Sequence, residues 1–264
     1  MTTGTILDKI LDAKRVELER HKRETPFAEL QERVKAAPFP LNLSGALWGD
    51  KVRLIAEVKK ASPSKGVLSA NYNPAVMAAG YAENGAAAIS VLTEADHFQG
   101  SLEHLAAVKE AVSQHGVPVL RKDFLFDPYQ LYEARAHGAD AALLIVAALD
   151  LQRLRELLAA AQGIWLQCLV EVHNEAELGV AMDAGAEIIG FNHRDLKTFK
   201  VDTSLSLRLR PLVPSGRMTV AESGIFTAED VVPLKQAGVN AILVGEALMT
   251  APDPGAKVRE LANV

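Results

Sequence analysis

The segment Ile55-Ala56-Glu57-Val58-Lys59-Lys60-Ala61-Ser62-Pro63-Ser64-Lys65-Gly66 begins as an apolar strand and ends as a polar, basic loop. Side chains alternate faces along a strand, so Ile55, Glu57 and Lys59 share one side while Leu54, Ala56 and Val58 take the other. An acid and a base on one face near the C-terminal end of a strand are costly unless they are paired or used. Pro63 fixes a bend and Gly66 releases it, which leaves Ser62, Ser64 and Lys65 on the loop.

Outward from this segment one unit recurs: a short apolar run, a turn, then an amphipathic helix. The runs cover 54–59, 88–93, 117–122, 141–146, 165–171, 187–192, 219–222 and 241–244. Helical patterns follow at 74–84, 101–114, 128–137, 150–162, 174–184, 203–209, 227–236 and 254–261, several of them closed by glycine. Eight β-then-α units predict a (β/α)8 TIM barrel. The alternative, a doubly wound open sheet, usually has fewer strands and a G-x-G-x-x-G turn, and Ser-Pro-Ser-Lys stands where that turn would be. Before the first unit, helices are expected at 5–22, where Ile6, Leu7, Ile10 and Leu11 recur at helical spacing, and at 27–36, with 41–50 a loop. Residues 1–50 thus read as an N-terminal helical extension of a single barrel domain spanning 1–264. Whether it covers one end of the barrel, packs alongside it or forms a dimer interface stays open at this level.

Composition bounds the function. With 264 residues, 49% hydrophobic and 23% charged, the chain has the profile of a soluble globular protein with a large core. A net charge of −5 without a basic stripe argues against nucleic acid as a partner. No apolar run is long enough to span a membrane, and Lys9, Asp12, Lys14 and Arg15 interrupt any signal core, so a cytoplasmic location is expected. The single cysteine, Cys168, excludes an internal disulfide, and the seven histidines show no metal-ligand spacing, so no metal is assigned.

In such a barrel the active site gathers at the C-terminal strand ends. Those ends carry Glu57 and Lys59, then Lys122, Asp123 and Phe124, then Glu171, Asn192 with Arg194, Glu222 with Ser223 and Gly224, and Gly245 with Glu246. The loops after runs seven and eight are a common phosphate site, where glycine lets backbone N–H groups approach closely. Arg194, Ser62 and Lys65 would add to it. The ligand is therefore expected to be a small phosphorylated molecule. A lysine crowded by a second lysine or desolvated by Phe124 would have a lowered pKa and exchange protons near neutrality. Glu171 points into the mouth as a candidate base. Cys168 and His193 alternate away from the mouth, and Asp123 reads as a supporting partner. Two lysines also suit Schiff-base chemistry, which keeps a sugar-phosphate aldolase open. An isomerase and a non-catalytic phosphate-binding barrel also remain open.

The segments IAEVKKASPSKG (55–66), VLTEADHFQGS (91–101), VLRKDF (119–124), ALLIVAAL (142–149), LVEVHNEAEL (169–178), IGFNHRDLKTF (189–199), VAESGI (220–225) and ILVGEALM (242–249) strongly resemble indole-3-glycerol phosphate synthase of tryptophan biosynthesis. The resemblance spans about residues 5–262. It implies ring closure of 1-(2-carboxyphenylamino)-1-deoxyribulose 5-phosphate with loss of carbon dioxide and water, and no cofactor. By match to the family's motifs it implies Lys122 as the general acid for ring closure. Lys59 and Glu171 fall to the second protonation and removal of the amine proton, with Glu57 ordering a lysine. It further implies that Asn192 and Glu222 hold the sugar, and that Ser62, Arg194, Ser223, Gly224, Gly245 and Glu246 surround the phosphate. Phe124 and Leu143 would line the aromatic slot. An acid beside a phosphate is repulsive, so the side chain of Glu246 is expected to face away while its backbone N–H binds. A monomer and a homodimer are both compatible with this reading.

Overall fold

A computed structural model of the chain describes residues 5–62, 66–67, 72–196 and 198–264. Eight parallel strands close into a barrel. They are β1 (Arg53–Val58), β2 (Ala88–Leu92), β3 (Val119–Lys122), β4 (Ala141–Ile145), β5 (Gln167–Val172), β6 (Ile188–Asn192), β7 (Met218–Glu222) and β8 (Ala241–Val244). Each pairs with its sequence neighbour, and β1 closes the ring against β8 through Arg53↔Ala241 to Ala56↔Val244. All eight strands fall within two or three residues of the apolar runs.

Alternation sorts the strand residues into two cores. Leu54, Ala56, Val58, Ile89, Val91, Ala142, Leu144 and Val170 face outward into a layer shared with the helices. Ile55, Ala88, Leu120, Leu143, Leu169, Val220 and Leu243 face inward and fill the barrel. Cys168 belongs to the outer layer, as its register required.

The helices are α1 (Ile6–Glu24), α2 (Phe27–Ala36), α3 (Leu43–Ala46), α4 (Pro74–Glu83), α5 (Leu102–Val112), α6 (Pro128–Ala136), α7 (Leu151–Gln162), α8 (Glu175–Ala184), α9 (Leu205–Leu209), α10 (Ala228–Gln236), α11 (Glu246–Met249) and α12 (Pro254–Ala262). Most begin at a side-chain cap, such as Thr5 on Asp8 N and Asn174 on Glu177 N. The 41–50 segment is not wholly a loop. Asn42 caps the single turn α3, whose Leu43 joins Leu47 in the barrel core while Ser44 N donates to Gln167 Oε1 at 3.1 Å. This turn therefore plugs the N-terminal end of the barrel, where a four-residue helix leaves no periodic signal. Ala61–Ser62 and Gly66–Val67 form a short antiparallel ladder after β1.

The extension goes to the opposite, C-terminal end. Ile10 and Leu11 of α1 enter the inner core. Lys14 reaches Asp123, just past β3, at 2.9 Å. Both groups are buried, and Asp123 is held further by Arg121 at 3.1 Å and Thr93 at 2.5 Å.

Candidate active site

The mouth of the barrel holds a cleft of about 1190 Å³, counting its open entrance. Every expected site residue that the structure describes lines it: Glu57, Lys59, Ser62, Lys122, Phe124, Leu143, Glu171, Asn192, Arg194, Glu222, Ser223, Gly224, Gly245 and Glu246. Lys65, like Pro63 and Ser64, lies outside the described residues.

Lys122 ends β3 between two carboxylates, 3.4 Å from Glu171 Oε2 and 3.5 Å from Glu222 Oε2. Burial alone would lower its pKa, but Glu171, Glu222 and Glu57 outweigh it and hold the amine well above its ordinary value. The expectation of a depressed lysine is thus corrected for Lys122: acids crowd it, not a second cation. Lys59 is itself paired, 2.9 Å from Glu57 Oε1. A lysine held protonated is a proton donor and a poor amine nucleophile, which disfavours a Schiff base on Lys122.

The two carboxyl groups beside Lys122 differ. Burial would raise Glu171, but Lys122 and then His173 and Asn192 hold its pKa below the usual carboxylate range. Burial raises Glu222 and prevails: Glu171 and Glu57 add to it against the pull of Lys122. Both carboxyl oxygens of Glu222 lack a hydrogen-bond partner among the described residues. The mouth therefore pairs one ionised carboxylate with one that tends to keep its proton.

Two glycines make room for these acids. A Cβ at Gly190 of β6 would sit 2.2 Å from Glu222 Oε1, and one at Gly245 would sit 2.5 Å from Glu57 Oε1. Gly245, expected only as a phosphate-loop turn, thus also clears space for Glu57. Gly190 was missed, although a glycine inside a strand is itself a sign of close approach.

At the other end of the cleft Ser223 and Gly224 follow β7 with φ of 69° and 72°. The left-handed pair turns the backbone sharply, and Ser223 Oγ donates to Asn192 Oδ1 at 2.8 Å. The side chain of Glu246 does not face away as expected. It lines the cleft with one oxygen 3.9 Å from Arg194, so the acid meets a cation that spans two loops.

The apolar wall includes residues not singled out from sequence. Ile6, Leu7 and Ile10 of α1 roof the cleft, and Phe98 stands 6.4 Å from Phe124, ring centre to ring centre. The α1 stripe was visible as a helical period, but only the fold shows what it covers. Among the described residues no group of His, Cys, Asp and Glu is placed to hold a metal ion, and no helix is long and apolar enough to cross a membrane.

Comparison with known proteins agrees with this geometry. The family described as indole-3-glycerol phosphate synthase matches residues 7–261. The indole-3-glycerol phosphate synthase of Roseiflexus sp. (strain RS-1) is 55% identical, with 98% of each chain covered. That of Dehalococcoides mccartyi (strain CBDB1) is 51% identical over 97% of this chain and 99% of its own. That of Mycolicibacterium smegmatis is 48% identical over 100% and 96%. Among solved structures, thiamine phosphate pyrophosphorylase from Pyrococcus furiosus superposes with a TM-score of 0.62 at 18% identity, covering 80% of this chain and 94% of its own. The 3-hexulose-6-phosphate synthase from Salmonella typhimurium does so at 0.61 and 14%, covering 80% and 97%. These two likenesses speak to the fold alone. On the match across nearly its whole length, the chain belongs to the indole-3-glycerol phosphate synthase family.

Proposed function

We propose that this chain is an indole-3-glycerol phosphate synthase working in tryptophan biosynthesis. It closes 1-(2-carboxyphenylamino)-1-deoxyribulose 5-phosphate to indole-3-glycerol phosphate, releasing carbon dioxide and water. The observation that carries the mechanism is Lys122 held 3.4 Å from Glu171 and 3.5 Å from Glu222, at the junction of an apolar and a phosphate-suited half-cleft.

The aromatic ring lies against Phe124 and Leu143 under the α1 roof. The phosphate lies against Arg194, Ser223, Gly224, Gly245 and the Glu246 backbone, with Ser62 and Lys65 as further phosphate ligands. Arg194 exchanges its 3.9 Å contact with Glu246 for the phosphate. Lys122 protonates the C2 carbonyl oxygen as the ring carbon bearing the carboxylate attacks C2. That carboxylate leaves as carbon dioxide, and its bonding electrons restore conjugation. Lys59 delivers the second proton, which carries the C2 oxygen away as water. Glu171 takes a proton from C1, the carbon beside the amine, and that C–H bond's electrons form the indole double bond while the nitrogen keeps its hydrogen. Glu57 orders Lys59, and Asn192 and Glu222 hold the sugar hydroxyls. Every step is proton transfer and electrostatic stabilisation, so the residues present suffice without a cofactor. The enzyme acts in the cytoplasm as a monomer or homodimer, with residues 1–50 an extension of one barrel domain and no nucleic-acid or membrane partner.

The test is an assay of indole fluorescence with the carboxyphenylamino substrate. Wild-type enzyme is expected to turn over, and Lys122→Ala to lose about 10²-fold or more in kcat while still binding the phosphate. Near-normal kcat in Lys122→Ala would remove Lys122 as general acid. Borohydride treatment with substrate is expected to leave no adduct, and a trapped adduct would restore the aldolase reading.

A further inference from the structure

Glu171 has a partner that the mechanism above does not use. His173, two residues on and just past β5, turns its ring back so that Nε2 lies 3.2 Å from Glu171 Oε1. The contact is out of line for a hydrogen bond, so it acts through charge more than direction. On the other side Nδ1 lies 3.0 Å from Glu177 Oε2, which also accepts from the His173 backbone N–H at 2.8 Å. Glu177 is fixed in turn, accepting from the Asn174 amide at 2.8 Å within the first turn of α8. The imidazole is buried, with 8% of its side chain exposed, and the line of three runs outward from the mouth to the rim of the barrel.

A ring with a carboxylate on each nitrogen is best satisfied as a donor on both, which is the imidazolium. Burial opposes that charge, but Glu171 and Glu177 overcome it and lift the pKa to about 10. The groups facing this centre are Glu171 from β5, Glu177 from α8, and, across Glu171, Lys122 from β3 and Glu222 from β7. Lys122 sits nearly the same distance from both acids, 3.4 and 3.5 Å, but it donates a hydrogen bond to Glu171 alone, so it favours the same acid as His173 does. Glu222 has no hydrogen-bond donor among the described residues; Glu171 has a buried cation on its other oxygen.

From this asymmetry we infer that His173, backed by Glu177, is a positioning residue that acts with Lys122 to keep Glu171, rather than Glu222, ionised and so available as the base. The inference rests on the reading of Glu171 as that base. His173 touches no reacting atom. It supplies the second positive charge that keeps Glu171 ionised while Glu222 retains its proton.

The test is steady-state kinetics across pH on full-length His173→Ala, His173→Gln and His173→Arg, with the carboxyphenylamino substrate. Loss of the cation lets the proton held by Glu222 pass in part to Glu171, so the acidic limb of the kcat profile is expected to move up toward neutral pH in the Ala and Gln variants. Their kcat at neutral pH is expected to fall roughly tenfold to hundredfold, with KM changed less than about threefold. His173→Arg, which keeps the charge, is expected to recover most of kcat. A wild-type profile in His173→Gln would overturn the inference, because a neutral side chain would then suffice. Should the histidine variants fail to fold, Glu177→Gln serves instead. It weakens the support of the imidazolium, so the acidic limb is expected to move up in the same direction by less, and an unmoved limb overturns the inference. Glu171→Gln separates the two claims. If it keeps kcat, the base assignment fails; if it is inactive while the His173 variants behave as wild type, only the role of His173 fails.

Discussion

Glu171 and Glu222 have identical side chains, face the same lysine and are both buried, yet their surroundings drive their protons apart. That asymmetry sets the expected outcome of substitution. Glu171→Gln removes the ionised group proposed as the base, so kcat is expected to fall by about 10² or more with little change in KM. Glu222→Gln replaces a carboxyl that already tends to be neutral with a neutral isostere, so its loss is expected to be much smaller. Parallel kcat and KM measurements on the two variants check the order; equal losses would mean that both acids work ionised. Gly190→Ala gives an independent check. The added methyl would lie 2.2 Å from Glu222 Oε1, and the strand backbone cannot retreat, so the carboxyl must move. We expect a fall in activity at least as large as that of Glu222→Gln, with the barrel still folded by circular dichroism. The residue types of this site were readable because charged groups at strand ends stand out against apolar runs. Their protonation was not, because it depends on distances between residues up to 165 positions apart in sequence, Glu57 and Glu222 among them.

At the scale of elements, α1 is the unexpected contributor. It carries Ile6, Leu7 and Ile10 over the cleft and is pinned by buried charges: Lys14 on Asp123, and His21 on Glu133 at 2.6 Å, with Arg121 bridging Asp123 and Glu133. Breaking a buried pair strands the remaining charge, but Asp123 would keep Arg121. Lys14→Met is therefore expected to cost about 2 kcal/mol, less than the ~3–5 kcal/mol of a fully orphaned charge. Denaturant unfolding measures that loss. Because the roof loosens with it, KM is expected to rise as well. The His21 contact adds a pH dependence. Its hydrogen bond to Glu133, opposed by burial, raises the folded pKa of His21. A raised pKa means stability that is fully present below about pH 6.5, the ordinary histidine value, and lost as pH rises through the folded value. Protection of α1 amides, relative to exchange of the unfolded chain at the same pH, is thus expected to fall from mildly acidic to alkaline pH, and His21→Gln to flatten that change. The amphipathic stripe of α1 was legible in the sequence. Its placement at the C-terminal end was not, since a stripe states that a face is buried without naming the surface that buries it.

For the whole molecule, barrel closure assembles the candidate ligand site. Arg194 after β6, Ser223 and Gly224 after β7, and Gly245 after β8 converge only because consecutive strands stand side by side in the ring. A phosphorylated ligand joining these loops binds the folded chain alone. Indole-3-glycerol phosphate at 100 times its Kd is expected to stabilise it by about 2.7 kcal/mol, a rise of roughly 5–10 °C in Tm for a chain of this size. Arg194→Ala is expected to lose most of that rise in a thermal melt, and an undiminished rise would place the phosphate elsewhere. The sequence by itself determined the eight-fold unit, the inward and outward faces of each strand and the end of the barrel where the polar groups gather. These follow from periods of 2 and 3.6 residues and from strand polarity, all of which are local. Tertiary structure alone decided that α3 plugs one end and α1 roofs the other, that glycines clear space for Glu57 and Glu222, and that His173 reaches Glu171. Those facts are set by packing distances between segments remote in sequence, and a linear pattern carries no record of through-space distance.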